Sequence, residues 1–127
     1  MRIEDLQKEL LPLTHGLMVR SETESPLELY YFENTQGLPL NASAISSLAG
    51  KTNSSELVVE PLDAFFNSIL SRNSADAERF RQLQHKLQEL LQNVQVYKSP
   101  EIGTTVYILG STPEGDFAGL RTVVVET

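Results

Sequence analysis

The chain has no cysteine and no tryptophan among its 127 residues, and only two histidines. Without cysteine, neither a disulfide framework nor a thiolate zinc site can form, and thiol redox chemistry is excluded. His15 and His85 fall in different predicted helices, and neither has an acidic partner at metal-ligand spacing. We therefore expect no metal site and no cofactor.

Basic residues are also scarce. Ten Lys and Arg stand against seventeen Asp and Glu, which gives a formal net charge of -7 at pH 7. Because affinity for nucleic acid comes mostly from neutralising phosphates, this balance argues against direct nucleic-acid binding. An acidic surface is instead attracted to a basic partner. Moderate negative charge also keeps ordinary cytosolic proteins in solution, so charge alone leaves both interpretations open.

Long apolar runs are missing as well. The segment MRIEDLQKELLPL carries acids and no sustained apolar stretch, so we expect neither a signal peptide nor a membrane span, and a cytoplasmic location. A hydrophobic content of 40% over 127 residues is enough to bury the core of one domain. We predict a single domain that covers residues 1–127.

Motifs for catalysis are absent from the sequence. It contains no phosphate loop, dinucleotide fingerprint, H-E-x-x-H or nucleophile elbow. Glu22 and Glu24 form an acidic pair that acid and base chemistry, with a bound metal, could use, but the tuning of carboxyl pKa values needs burial that a hairpin tip rarely supplies. We predict that the protein is not an enzyme, and a hydrolase built on this pair is the least favoured alternative.

The N-terminal half contains signals for a helix and a hairpin. Apolar residues recur at helical spacing from Ile3 to Leu13, Pro12 is expected to disturb the end of this helix, and Gly16 is placed to terminate it. LMVRS and LELYYFE are typical of two hairpin strands, with the tip formed by residues 22–26. Further along, Asn41 is a candidate cap for a short helix that ends near Gly50.

The C-terminal half contains the clearest helix and a run of strands. ELVVE predicts a short strand, and Pro61 opens a helix that extends to Ile69. A longer helix begins after Ser74, with an apolar face formed by Phe80, Leu83, Leu87, Leu90, Leu91 and Val94. VQVYK, TTVYILGS and LRTVVVE then predict three consecutive antiparallel strands. The expected fold class is α/β of the α+β type, with helices covering a mostly antiparallel central sheet.

The last two residues, Glu126 and Thr127, follow a run of valines with no polar tail. A valine strand anchored in a sheet would hold the Thr127 hydroxyl and α-carboxylate at a rigid exit point, so little entropy is left to lose on binding. With the Glu126 carboxylate, these oxygen atoms suit a hard cation or an arginine cluster. The alternative is that the sheet simply runs out there.

Two stretches resemble a known family. VYILGSTPEGDFAGLRTVVVET, with the preceding NVQVYK, resembles the C-terminal third of the cyanobacterial nuclease A inhibitor family, and GLMVRSETESPLELYYFE is similar to its N-terminal region. Residues 34–75 match only weakly. The resemblance implies an α/β/α sandwich and a non-enzymatic inhibitor of a secreted, Mg²⁺-dependent, non-specific DNA/RNA endonuclease of the ββα-metal type.

The resemblance also assigns the binding residues. In the family the last threonine reaches the magnesium ion of the nuclease, and Thr127 matches it. Glu22 aligns with an acid that contacts the basic nucleic-acid cleft, and Glu24 matches a second family acid. With Glu126 of the shared terminal ET, these residues are the predicted partner-binding set.

One departure from the family concerns a tryptophan that serves a family member as an interface anchor before the long helix. The corresponding loop here reads SRNSADAERF. Because truncation of an aromatic anchor commonly costs ~2 kcal/mol or more of binding free energy, its loss is expected to weaken or redirect binding, and a different nuclease partner stays open.

Two functions from different classes remain open from the sequence. The first is the nuclease inhibitor, expected as a monomer that forms a heterodimer with its target. The second is an acidic protein-protein interaction module with a non-nuclease partner, whose resemblance to the family would reflect fold alone.

Overall fold

The computed structural model describes residues 3–20, 24–34, 37, 58–72, 74–98 and 104–124. In chain order they form α1 (Ile3–Thr14), β1 (Met18–Arg20), β2 (Glu24–Pro26), β3 (Glu28–Phe32), β4 (Val58–Pro61), α2 (Leu62–Arg72), a 3₁₀ turn (Ser74–Asp76), α3 (Ala77–Leu90), β5 (Gln92–Lys98), β6 (Thr104–Ser111) and β7 (Phe117–Val124). Five strands make an antiparallel sheet in the order β3-β7-β6-β5-β4, and β1 pairs with β2 in a separate hairpin. The predicted mixed α+β class and the meander of the last three strands are confirmed.

The helices α1, α2 and α3 all contribute to one core against the sheet. Their buried residues in this core are Leu6, Leu10, Leu62, Phe65, Phe66, Ile69, Phe80, Leu83 and Leu87. The other face of the sheet carries a second cluster of Tyr97, Tyr107 and Leu109, with Tyr30 and Phe32 packed against it. Tyr97 and Tyr107 are thus sheet-packing residues. The short helix predicted to end near Gly50 lies outside the described residues.

The first helix passes through Pro12 and ends at Thr14. Proline removes one intrahelical hydrogen bond, which is why an earlier disturbance was expected. Burial of Leu6 and Leu10, both 0% exposed, holds the helix against the core in spite of this loss. Gly16 then terminates it with φ of 71°, and the Leu17 N–H donates to the Thr14 carbonyl at 2.9 Å.

The long helix α3 ends at Leu90, so the prediction that its apolar face extends to Val94 was wrong. Leu91 is extended, with ψ of 155°, and Val94 belongs to β5. The strand opens with an irregular register between Gln92 and Gln95, where Asn93 has φ of 55°. This irregularity turns Val94 back towards the core that Leu91 also joins, which explains why the apolar spacing continued past the helix.

The hairpin differs from its prediction in which strands pair. Residues of LMVRS do not pair with LELYYFE; β1 pairs with β2, with Met18 opposite Pro26 and Arg20 opposite Glu24. Residues 24–26 therefore form a strand instead of part of the tip. The LELYYFE segment supplies β3, which pairs with β7 in the main sheet.

Gly119 occupies a position in β7 that a larger residue cannot take. It has φ of 153°, and a Cβ atom there would overlap the carbonyl oxygen of Ile108 on β6. Both the backbone conformation and the contact with a neighbouring strand disfavour a side chain. We expect Gly119→Ala to lower the free energy of unfolding by about 3 kcal/mol, measured by urea denaturation.

Gly37→Ala is the matched control for this substitution. Gly37 also has a positive φ, of 64°, but no atom of the described residues lies within 4 Å of a Cβ built there. Its cost should stay near 1 kcal/mol, the conformational part alone. Equal losses for the two variants would contradict the steric argument.

Candidate functional site

The strand β7 holds the chain firmly up to Val124. It lies between β3 and β6, and its pairing with β6 continues to the last described pair, Thr104 with Val124. Val124 is 6% exposed and belongs to the main core. Glu126 and Thr127, two of the four predicted binding residues, follow this strand but lie outside the described residues.

The β1–β2 hairpin is fixed to the same core. Val19 of β1 is 1% exposed, Leu27 after β2 is 8% exposed, and both belong to the cluster that contains Val124. Each strand of the hairpin also contacts β7. The hairpin and the end of β7 therefore share one packed support and cannot move independently without exposing apolar surface.

Strand direction places Glu24 at the Val124 end of β7. Strand β3 runs antiparallel to β7, with Glu28 opposite Arg121 and Phe32 opposite Phe117. Following the chain back from Glu28 towards β2 therefore leads towards the end of β7. Glu24 itself is exposed on β2. Of the predicted binding residues, Glu24 is the one that is described; Glu22 lies outside the described residues, between Arg20 and Glu24 in the sequence.

The entry of the chain into the hairpin is held by Arg79 of α3. Its guanidinium donates to the backbone carbonyl of His15 at 2.6 Å and to that of Leu13 at 3.4 Å. Cationic side chains at the end of a helix satisfy carbonyl groups that have no intrahelical partner. This contact fixes the end of α1 just before β1. It could not be predicted from local sequence patterns, because the partners are more than sixty residues apart.

Tyr31 and Asp116, whose pKa values are both shifted, lie at the opposite end of β7. The Tyr31 hydroxyl donates to the Asp116 carboxylate at 2.5 Å, and the Asn34 backbone N–H donates to it at 2.9 Å. The Tyr31 hydrogen bond, followed by that of Asn34, lowers the pKa of Asp116. Burial of the hydroxyl group, and to a smaller extent the same hydrogen bond, raises the pKa of Tyr31 to about 12.

The hydrogen bonds around Asp116 have a structural role. Asp116 closes the β6–β7 turn, where its N–H donates to Thr112 Oγ1 at 3.0 Å, and the Asn34 side chain donates to the Gly115 carbonyl at 3.1 Å. Tyr31 belongs to β3, Asn34 to the segment after it, and Thr112, Gly115 and Asp116 to the turn, so the hydrogen bonds hold β3 to the β6–β7 turn. These residues could not be found from the sequence, since no local pattern links Tyr31 and Asp116, which are 85 residues apart.

An open groove of about 450 Å³ lies along α3 and is lined by Leu13, Glu78, Arg81, Gln82, His85, Lys86 and Glu89. Its charges are matched within the protein: Lys86 lies 3.5 Å from Glu9 and 3.6 Å from Glu89, and Arg81 lies 4.0 Å from Glu78. Such exposed pairs contribute little energy, and they leave the groove without a net charge to attract a ligand. It offers no better site than the hairpin and the end of β7.

Two negative findings apply to the described ranges only. No group of three or more His, Asp or Glu side chains there is arranged to hold a metal ion. None of the helices α1, α2 and α3 has the length and apolar character needed to cross a membrane.

Comparison with known protein families finds a match over nearly the whole chain. The family described as "Nuclease A inhibitor-like protein" matches residues 4–127, nearly the whole chain. No curated protein matches it.

The Tyr31–Asp116 hydrogen bond leads to a prediction of how the free energy of unfolding depends on pH. Because the pKa of Asp116 is lowered from 3.8 in the folded state, its stabilising effect is present above pH 3.8 and is lost as the pH falls through the lower folded value. Tyr31→Phe should cost roughly 1 kcal/mol of unfolding free energy at pH 7, and the difference from wild type should narrow below about pH 4. Urea denaturation across this range measures it.

Asp116→Asn provides the control background. It keeps an acceptor for the tyrosine hydroxyl but has no carboxyl group to titrate. In that background the cost of Tyr31→Phe should no longer change in acid. A cost that is independent of pH in the wild-type background would show that Asp116 is not the group involved.

Proposed function

This chain belongs to the nuclease A inhibitor-like family, and we propose that it inhibits a secreted, Mg²⁺-dependent, non-specific endonuclease of the ββα-metal type. In this proposal Thr127 and Glu126 enter the active site of the nuclease, and Glu22 and Glu24 contact its basic cleft. The inhibitor is a cytoplasmic monomer that forms a heterodimer with the nuclease, and it catalyses no reaction of its own.

The observation that carries the proposal is the shared core under the hairpin and the end of β7. Val19, Leu27 and Val124 are buried in one cluster. A support of this kind is packed before a partner is met, so less conformational entropy is lost on association. This is the property that a rigid active-site plug requires.

The chemistry of the target explains why acids and a hydroxyl would serve. A nuclease that cuts any sequence binds phosphates through a basic cleft and holds a hard cation that polarises the scissile group. Carboxylates at Glu22 and Glu24 can replace phosphates in that cleft. Oxygen atoms of Thr127 and Glu126 can take the ligand position that a phosphate would use on the cation.

The net charge and the terminal residues are then expected to affect different rate constants of binding. The net charge of -7 accelerates encounter with a basic cleft, which is an effect on the association rate. Contacts with the metal act after encounter and slow dissociation. The acidic interaction module remains the competing function, and it predicts no effect on nuclease activity.

Removal of Glu126 and Thr127 tests the plug. Digestion of plasmid DNA by a ββα-metal nuclease is measured with untagged wild-type protein and with the variant. We expect the dissociation constant to rise at least about 30-fold, equivalent to ~2 kcal/mol, mainly through faster dissociation. The described core ends at Val124, so thermal unfolding should change little. A shortened chain that inhibits as well as wild type would overturn the plug.

Substitution of the hairpin acids tests the cleft contact. Glu22→Gln and Glu24→Gln should each slow association about 2- to 5-fold at low ionic strength, and the difference should shrink as salt is raised. Stopped-flow binding measures both effects.

Glu33→Gln is the matched control for the acids. Glu33 is exposed after β3, at the Phe117 end of β7, so the variant loses one negative charge far from the hairpin. It should change association less than either hairpin variant. If all three behave alike, the net charge acts without a local contact at the hairpin.

A further inference from the structure

The hairpin presents an apolar residue to solvent beside its acid. Across the described ranges, four large hydrophobic residues are exposed: Leu11, Met18, Val58 and Val59. Met18 is the one that lies in the β1–β2 hairpin, and its exposed fraction is 37%. Singly exposed apolar residues are common on protein surfaces, so Met18 is of interest here because of its neighbours on the hairpin.

The register places Met18 in a small mixed surface. It is the cross-strand partner of Pro26, which is also exposed. The next residue of β1, Val19, is buried in the core. Glu24 lies two residues before Pro26 on β2, which makes it a diagonal neighbour of Met18, at about 7–8 Å in an antiparallel pair. The outer face of the hairpin therefore joins an apolar pair to a carboxylate.

We propose that Met18, with Pro26 beside it, is an apolar contact of this protein with the nuclease, desolvated within the interface next to Glu24. The inference rests on the proposed function. It adds an anchor that is neither acidic nor part of the segment after β7. Continuity with Glu24 identifies the occupant: a partner surface that meets this carboxylate also covers Met18.

Physical reasons favour an apolar contact at this place. Charges at the edge of an interface mainly set the association rate, whereas desolvated apolar groups at its centre lengthen the lifetime of the complex. Methionine is unbranched and polarisable, so it adapts to the shape of a partner. Because Val19 anchors the strand, Met18 needs only side-chain ordering on binding.

The test compares four untagged proteins against a ββα-metal nuclease in the presence of Mg²⁺: wild type, Met18→Ala, Met18→Glu and Val59→Ala. Val59 is 45% exposed on β4, at the edge of the sheet opposite β3, and serves as the control. We expect Met18→Ala to raise the dissociation constant about tenfold through faster dissociation, and Val59→Ala to change it less than about twofold. Circular dichroism and thermal unfolding show whether each variant is folded.

Met18→Glu separates an apolar contact from a purely electrostatic one. It makes the hairpin more acidic, so a surface that works only by charge would bind a basic cleft faster and at least as tightly. The proposal instead predicts that this variant dissociates faster than wild type by about tenfold or more. Equal or tighter binding of Met18→Glu, or of Met18→Ala, overturns the apolar contact.

The outcomes distinguish this inference from the function on which it rests. If wild type inhibits the nuclease and the Met18 variants inhibit equally well, the apolar contact alone is wrong. If untagged wild type neither binds nor inhibits the nuclease, the proposed function is wrong and the contact is rejected with it.

Discussion

Burial of Val124 together with Val19 and Leu27 is the constraint on which the candidate site depends. Full burial of a valine or leucine side chain is worth about 1.5–3 kcal/mol, so lifting either the hairpin or the end of β7 from this core would cost several such contributions. Strand β7 gains further rigidity because it pairs with β3 on one side and β6 on the other. Two segments far apart in sequence thus share one packed support, formed by Val19, Leu27 and Val124.

An inhibitor that works in this way needs none of the features of an enzyme. The described side chains with clear pKa shifts are explained by structural contacts: Asp116 and Tyr31 hold β3 to the β6–β7 turn, and burial in the second cluster raises the pKa of Tyr97 and Tyr107. Under the proposed function, the acids of the hairpin act by charge and by occupying phosphate positions, and the cation belongs to the target. The proposed inhibition needs only that this surface covers the site that the substrate of the nuclease uses.

The two ends of the sheet are held by different kinds of contact. At the Phe117 end, hydrogen bonds from Asn34 to Asp116 and Gly115 hold the β6–β7 turn to the segment after β3. Tyr30 and Phe32 pack against each other at the same end. At the Val124 end, apolar burial holds the backbone from within, which leaves polar and apolar side chains of the hairpin in solvent. A protein that binds through one end benefits when the other end is tied internally, because motion of β7 relative to β3 would be transmitted to the site.

The sequence by itself determined the local elements: the apolar face of α3 at Phe80, Leu83 and Leu87, the stop at Gly16, and the last three strands. These depend on periodicity and turn chemistry, which operate over a few residues. The family resemblance supplied the binding residues, of which Glu24 alone is described. Tertiary structure decided that β1 pairs with β2 while β3 joins β7, that Val94 leaves the helix, and that Tyr31 meets Asp116. Each of these depends on contacts that form only when distant segments compete for the same core, and no local pattern encodes that competition.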